Sequence, residues 1–298
     1  MRYVAPYPTH GRIGHQLSIV WLARLMSDVF DLQYQHAPFV DAAQATGPGG
    51  TAARWNEWLN LASGTVAFEP GRLGTVTYRG GWQAHHKWAE RPQYLDYWRL
   101  CDGVPDEHVL RFEDFGNIWY RDVLAWQSAG LITEAVAGAT YAWFQRQLDA
   151  SPAYQRTAIP ERDGRLCVRA YRRAPLLGEH LPPQHRPVSV EYLNEALRSV
   201  RAYRTDIDAL VYQQSEIGDE GALDPAWRVA YCPDVYPQTF ECVKDLIEAD
   251  VAVTTVGMTS VMVQLYRYAR RPTVLHPLCG HFPGVAHDKP QALARWLS

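Results

Sequence analysis

Asp245-Leu-Ile-Glu-Ala-Asp-Val-Ala-Val-Thr-Thr-Val-Gly-Met-Thr-Ser-Val-Met-Val-Gln-Leu265 is the stretch whose reading decides the fold. It spells the end of a helix, a buried strand over Val251 to Val256, a turn at Gly257 and a second apolar helix. The run Val-Ala-Val-Thr-Thr-Val is β-branched and uncharged, the pattern of a strand covered on both faces in a parallel sheet. Gly257 lets the chain turn sharply, and Thr259 and Ser260 stand where the next helix begins. A helix start offers unpaired N–H groups and a partial positive charge, and hydroxyls add donors, so the turn suits a phosphate. The same hydroxyls also suit an ordinary helix cap. Both readings stay open on these residues alone.

The neighbouring chain alternates in the same way. Strands are expected at Leu166 to Tyr171, Ala209 to Gln213, Arg228 to Tyr231 and Thr273 to His276. Helices are expected at Val190 to Tyr203, Gln238 to Ala249, Met258 to Ala269 and Pro290 to Leu297. Such alternation implies a parallel sheet with right-handed crossovers. Nearer the N-terminus, Arg2 to Ala5 reads as a strand running into the loop Gly11-Arg-Ile-Gly-His-Gln16 and an apolar helix. The loop spacing is not that of a dinucleotide-binding fingerprint. Further strands are expected at Leu32 to His36, Val66 to Phe68, Thr75 to Tyr78 and Val109 to Phe112, with helices at Ile118 to Ser128 and Ile132 to Asp149. Gly47 to Ala53 reads as a small-residue loop.

Ser151 to Gly164 has the composition of a linker. It divides the chain into residues 1–155, an N-terminal Rossmann-like domain, and residues 156–298, a C-terminal Rossmann-like domain. The expected class is α/β, two parallel sheets facing across a cleft.

Composition narrows the function. The 298 residues carry 20% charged and 47% hydrophobic side chains and a net charge of −3, which gives no reason to expect nucleic acid or an anionic membrane surface. No secretory signal or membrane-spanning run is read, and a cytoplasmic protein is expected. The five cysteines are odd in number and lack a CxxC pair, against a disulfide framework or structural zinc. The lysines are three, Lys87, Lys244 and Lys289, so positive charge is nearly all arginine. Eight of the eleven tryptophans fall between Trp55 and Trp143; most suit a core, while Trp82 and Trp88 around His85-His86 could form a stacking surface for an acceptor.

Ligands of open parallel sheets bind beyond the carboxyl ends of the strands. Arg172-Arg173, the Gly257 to Ser260 turn and the Gly11 to Gln16 loop all fall at such ends. A guanidinium with helix-start N–H groups and a hydroxyl would neutralise a pyrophosphate without a metal. The His276 to His281 stretch matches no zinc class, and Asp206-Ile-Asp208 precedes its strand. No metal and no cofactor is therefore expected.

These three segments, in this order, carry a resemblance. Gly11-Arg-Ile-Gly-His-Gln16 resembles the G-G/R-x-G-N-Q opening of the α1,2-, α1,6- and protein O-fucosyltransferase superfamily. Arg169-Ala-Tyr-Arg-Arg173 resembles its strand ending in H-x-R-R-G-D, and Asp245 to Leu265 resembles its D-L-x-x-L-S-x-A-D-x-x-V-x-x-x-x-S-S/T-F segment. The resemblance implies a GT-B fold, an inverting sugar transfer, and a GDP-sugar donor bound mainly by the domain of residues 156–298, with the acceptor on the side of residues 1–155. By position it gives Arg172 the β-phosphate, and Thr259 and Ser260 the pyrophosphate. Gly11, Arg12, Gly14, Arg173 and Gly257 complete the expected donor-binding set. His15 is the expected base toward a saccharide or small-molecule acceptor, with an ordinary helix-start role held equally open; Glu241 and Asp234 stand in reserve. The sequence departs from the pattern at Ala170, at Ala174-Pro175 and at His15 itself, which leaves sugar and nucleotide open. The alternatives are a non-catalytic nucleotide- or sugar-binding protein of the same fold, or another α/β enzyme acting on phosphorylated metabolites.

Overall fold

Strand and helix alternate along the chain, and the strands gather into two separate parallel sheets. The structure is a computed structural model that describes residues 1–7, 13–41, 51–79, 94–113, 126–172, 189–232, 238–254, 258–267 and 273–274. The chain divides into two units, with the break between Gln155 and Arg156.

In the N-terminal unit, β1 (Tyr3–Tyr7), β2 (Gln33–His36), β3 (Val66–Ala67), β4 (Gly74–Arg79) and β5 (His108–Glu113) lie in the order β3-β2-β1-β5-β4. Every pairing is parallel. The crossover α1 (Ile13–Phe30) buries Leu17, Val20, Trp21, Leu22, Leu25 and Met26 almost completely, which explains why it reads as apolar on nearly every side. α2 (Thr51–Leu59), α3 (Tyr94–Asp102), α4 (Glu134–Asp149) and α5 (Pro152–Arg156) are further helices of the unit, and residues 126–128 are helical too. Rings dominate the filling. Trp143 meets Phe144 at 4.9 Å and Tyr34 at 5.6 Å between centroids, and Trp58 meets Trp55 at 5.4 Å and Tyr154 at 5.0 Å.

In the C-terminal unit, β6 (Leu166–Arg172), β7 (Ile207–Gln213), β8 (Trp227–Tyr231), β9 (Val251–Val253) and β10 (Thr273–Val274) lie in the order β10-β9-β6-β7-β8, again all parallel. One face carries α6 (Val190–Arg201), whose Val190, Leu193, Ala196, Leu197 and Val200 pack on Val168, Ala170, Ala209, Val211, Val251 and Val253. The other face carries α7 (Gln238–Glu248) and α8 (Met258–Arg267). There Cys242, Leu246 and Val263 pack on Leu210, Tyr212 and Ala252.

Three expectations are corrected. Thr51 to Ala53 belongs to α2, not to a loop: the Asp41 carboxylate accepts from the Ala52 amide at 2.9 Å and the Thr51 hydroxyl at 3.1 Å, capping the helix from ten residues away. No cap in the local sequence signals that start. The supposed linker begins with α5. Ser151 accepts from the Tyr154 amide at 3.2 Å, and Tyr154 is buried against Trp58, so these residues are packed rather than extended. Asp208 lies inside β7 rather than before it. Two arginines neutralise its charge, so the strand can start earlier than its apolar run. The expected helix at Pro290 to Leu297 lies outside the described residues. Among the described residues no helix is long and apolar enough to cross a membrane.

Candidate functional site

From β6 the chain proceeds to β7 and β8 on one side, then returns to β9 on the other flank of β6. The strand order therefore switches direction between β6 and β9, the place where open α/β sheets bind ligands. Ala170 is in register with Val253 there, so Arg172 and Thr254 end neighbouring strands at the same edge, and α8 starts just beyond. In the N-terminal unit the switch falls between β1 and β5, and residues 11–16 follow β1 directly.

Side chains alternate along a strand, so Arg172 shares the face of Val168 and Ala170, which α6 covers, while Tyr171 packs on the opposite side. Its guanidinium is 2% exposed. Nη1 and Nη2 donate to the two Asp219 carboxylate oxygens at 2.5 and 2.7 Å, and Nη1 also donates to Gln213 Oε1 at 3.3 Å. This pairing holds the Asp219 carboxyl below the usual range, against the smaller effect of its partial burial. Gln213 is the β7 neighbour of Arg172 in register, which explains the third contact. α8 packs on the other face. Arg172 and the α8 start thus approach the same edge from opposite faces. Nothing in the local spacing of Arg172 to Asp219 signals this pair, 47 residues apart.

The remaining expected site residues fall as follows. Thr259 and Ser260 lie in the first turn of α8 and His15 in the first turn of α1; their side chains lie outside what is described. Gly11, Arg12, Arg173 and Gly257 lie outside the described residues, as do Trp82, His85, His86, Trp88, Asp234 and the His276 to His281 stretch. Gly14 is already helical, because α1 begins at Ile13, and its carbonyl accepts from the Ser18 hydroxyl at 2.9 Å. Gln16 is a staple: its amide donates to the Val40 carbonyl at 2.8 Å and accepts from the Val40 amide at 2.9 Å, tying the start of α1 to the segment after β2. Glu241 lies in the first turn of α7.

The acids that bracket the decisive segment are structural. Asp245 is fully buried, accepting from Arg169 Nε at 2.5 Å and the Tyr212 hydroxyl at 2.8 Å. Arg169, also fully buried, donates Nη2 to Asp208 at 2.8 Å, and Arg228 reaches the other Asp208 oxygen. Burial works against the Arg169 charge, but Asp245 and then Asp208 outweigh it and raise its pKa further. Burial likewise pushes the Asp208 carboxyl up, and the Arg169 pairing overcomes it, leaving Asp208 below its ordinary range. Asp250 accepts from the Cys167 amide at 2.8 Å, and Arg267 donates to the carbonyls of Leu246, Ile247, Ala249 and Asp250, closing the C-terminus of α7. The Tyr192 hydroxyl donates to the Thr254 carbonyl at 3.1 Å, fixing the end of β9 at the switch point. At the carboxyl edge of the other sheet, the Arg111 guanidinium lies 3.6 Å over the Tyr7 ring, whose edge meets Phe68 at 6.1 Å. Among the described residues no group of three or more His, Cys, Asp or Glu could hold a metal ion.

No family model matches the chain, and no curated protein matches it. Among solved structures it is similar to POFUT1 in its apo form, at 15% identity and a TM-score of 0.47 over 92% of this chain and 97% of that one. It is similar to POFUT1 in complex with GDP-fucose at 14% identity and a TM-score of 0.47, with the same coverage. The glycotransferase of kitacinnamycin is similar at 15% identity and a TM-score of 0.33, over 99% of this chain and 89% of that one.

Proposed function

We propose that the chain is a metal-independent, inverting glycosyltransferase that takes a GDP-linked sugar, fucose being the first to try, to a hydroxyl of a saccharide or small molecule. One observation carries the proposal. The three segments that resemble the fucosyltransferase superfamily are scattered over more than 240 residues of sequence. Two of them come to the switch point of one sheet, on the neighbouring strands β6 and β9, and the third follows the switch-point strand β1 of the other. Position at a switch point is what a ligand site needs, and shared ancestry of the core does not by itself require it.

As the anomeric bond breaks, the leaving nucleoside diphosphate gains negative charge. Arg172, with the α8 amides and Thr259 and Ser260, is proposed to stabilise that charge more than it stabilises the bound donor. Arg173 and Gly257, with Gly11, Arg12 and Gly14, are proposed to shape the donor contacts. His15 is proposed to take the acceptor proton, which an imidazole does near neutral pH.

The first test is thermal stabilisation and nucleotide release with GDP, GDP-fucose, UDP-sugars and TDP-sugars. Stabilisation and acceptor-dependent release with a GDP-sugar are expected. Absence of both with every donor sinks the proposal, and binding without release leaves a binding protein. Arg172→Ala is expected to lower turnover about 100- to 1,000-fold.

A further inference from the structure

We infer that Asp219 is an internal occupant of the anion seat on Arg172, and that a donor pyrophosphate binds by displacing it. The inference rests on the donor-binding reading of the switch point. A guanidinium fork accepts a carboxylate and a phosphate with the same bidentate geometry, and here both fork nitrogens point at Asp219. The pair is lopsided: the Arg172 side chain is 2% exposed and that of Asp219 43%. An anion arriving from solvent therefore meets the carboxylate before it meets the guanidinium.

Exchange of one anion for another restores a counter-charge to the buried guanidinium, whose lasting loss would be costly. The departing carboxylate swings into water. Its loop does not depend on it, because Glu220 carries that load. The Glu220 carboxylate accepts from the Ile217 amide at 2.7 Å, the Gly218 amide at 2.9 Å and Gln213 Nε2 at 3.1 Å. Gly218, at φ +87°, supplies the left-handed turn immediately before Asp219. A rotation of the Asp219 side chain thus opens the seat while the loop stays anchored. Asp219 in this role sets donor affinity: the fraction of time it holds the fork is a tax on every ligand that needs Arg172.

The alternative role, a carboxylate that holds Arg172 in pose and stays in place, predicts the opposite sign. Inorganic pyrophosphate and GDP are titrated by calorimetry into the wild-type chain, Asp219→Asn and Asp219→Ala. A seat filled at least nine-tenths of the time by Asp219 gives about tenfold or greater tightening of both ligands in both variants. Equal or weaker binding in the variants, with the wild type binding, overturns the inference and leaves the donor reading intact. No binding of either ligand to any of the three overturns both. A reading that needs no substitution comes from the wild type, by carbon NMR titration of the Asp219 carboxyl. Its pKa, held low by Arg172, returns to the ordinary carboxylate range when pyrophosphate saturates the protein; an unmoved titration also overturns displacement.

Discussion

The two sheets share a plan, with the first strand of each unit at the centre and the order switching beside it, yet their interiors are held by different forces. Under the N-terminal sheet, Trp143, Phe144 and Tyr34 pack ring on ring, and Arg24 lies 5.4 Å over the Trp143 ring. In the C-terminal unit, an arginine with no exposed surface joins β6 to β7 through Asp208 and to α7 through Asp245. Rings supply area removed from water and tolerate small shifts. Paired charges supply direction and fail abruptly when one member is lost. The unit that presents Arg172 is thus the one whose register is fixed ionically. That suits the proposed site, in which a guanidinium would sit within hydrogen-bond reach of a phosphate.

The sharpest way to break this comparison is Arg169→Met. It leaves the buried Asp245 with Arg162 at 3.4 Å and Asp208 with the more exposed Arg228, and is expected to cost about 3–5 kcal/mol, visible as faster amide exchange in β6, β7 and α7. Replacing Arg169, Asp208 and Asp245 together by apolar residues of similar volume is expected to cost far less, because the two arginines left without these partners, Arg228 and Arg162, both reach water. A loss in the triple variant as large as in the single one would show that the network does more than balance its own charges. In the N-terminal unit, by contrast, Trp143→Ala costs through a cavity, also about 3–5 kcal/mol, and no companion substitution of a charged residue rescues it.

Acid separates the units next. His36 is 4% exposed, and burial lowers its pKa to about 4, against about 6.5 in an unfolded chain. The folded N-terminal unit therefore binds fewer protons than its unfolded form between those values. The stability from keeping His36 neutral is complete above about pH 6.5 and is lost progressively as the pH falls to about 4, in all about 3 kcal/mol. Asp28, whose carboxyl burial raises, works the other way at the acid end of that window. Asp208 and Asp219 are held below the ordinary carboxylate range, so their contribution is lost only as the pH falls below it. Amide exchange at pH 5 is expected to quicken in β2 and not in β7, and His36→Phe is expected to abolish the difference. Exchange that quickens equally in both would show that His36 is not the cause.

The smallest effect compares one cap in each unit. Thr133 accepts from the Val136 amide at the start of α4, and Ser189 from the Tyr192 amide at the start of α6, both at 3.3 Å. Each change to alanine is expected to cost about 1 kcal/mol. Tyr192 also reaches the Thr254 carbonyl, so only Ser189→Ala is expected to weaken pyrophosphate binding as well. Equal ligand affinity in the two variants would detach α6 from the switch point.

Strand and helix were legible where a β-branched run such as Val251 to Val253, or an apolar periodicity such as that of α1, gave a local signal of burial, whereas α2 and α3 carried none that was read. The all-parallel character followed from the alternation, since a crossover helix leaves no other choice of hand or direction. What spacing could not carry was partnership. The cap that Asp41 gives α2, the Gln16 grip on Val40, and the pairing of Arg169 with Asp208 and Asp245 join residues between 10 and 76 positions apart.

Arg172 shows the division most clearly. The sequence by itself determined that an arginine closes a buried strand and that a helix with two hydroxyl residues in its first turn follows another. Only the tertiary structure decided that these strands are neighbours, that the guanidinium turns toward the α6 face, and that Asp219 fills its fork. The reason is physical. Local sequence sets which conformations a segment can adopt cheaply, whereas a buried charge must find its counter-charge wherever the folded chain brings one.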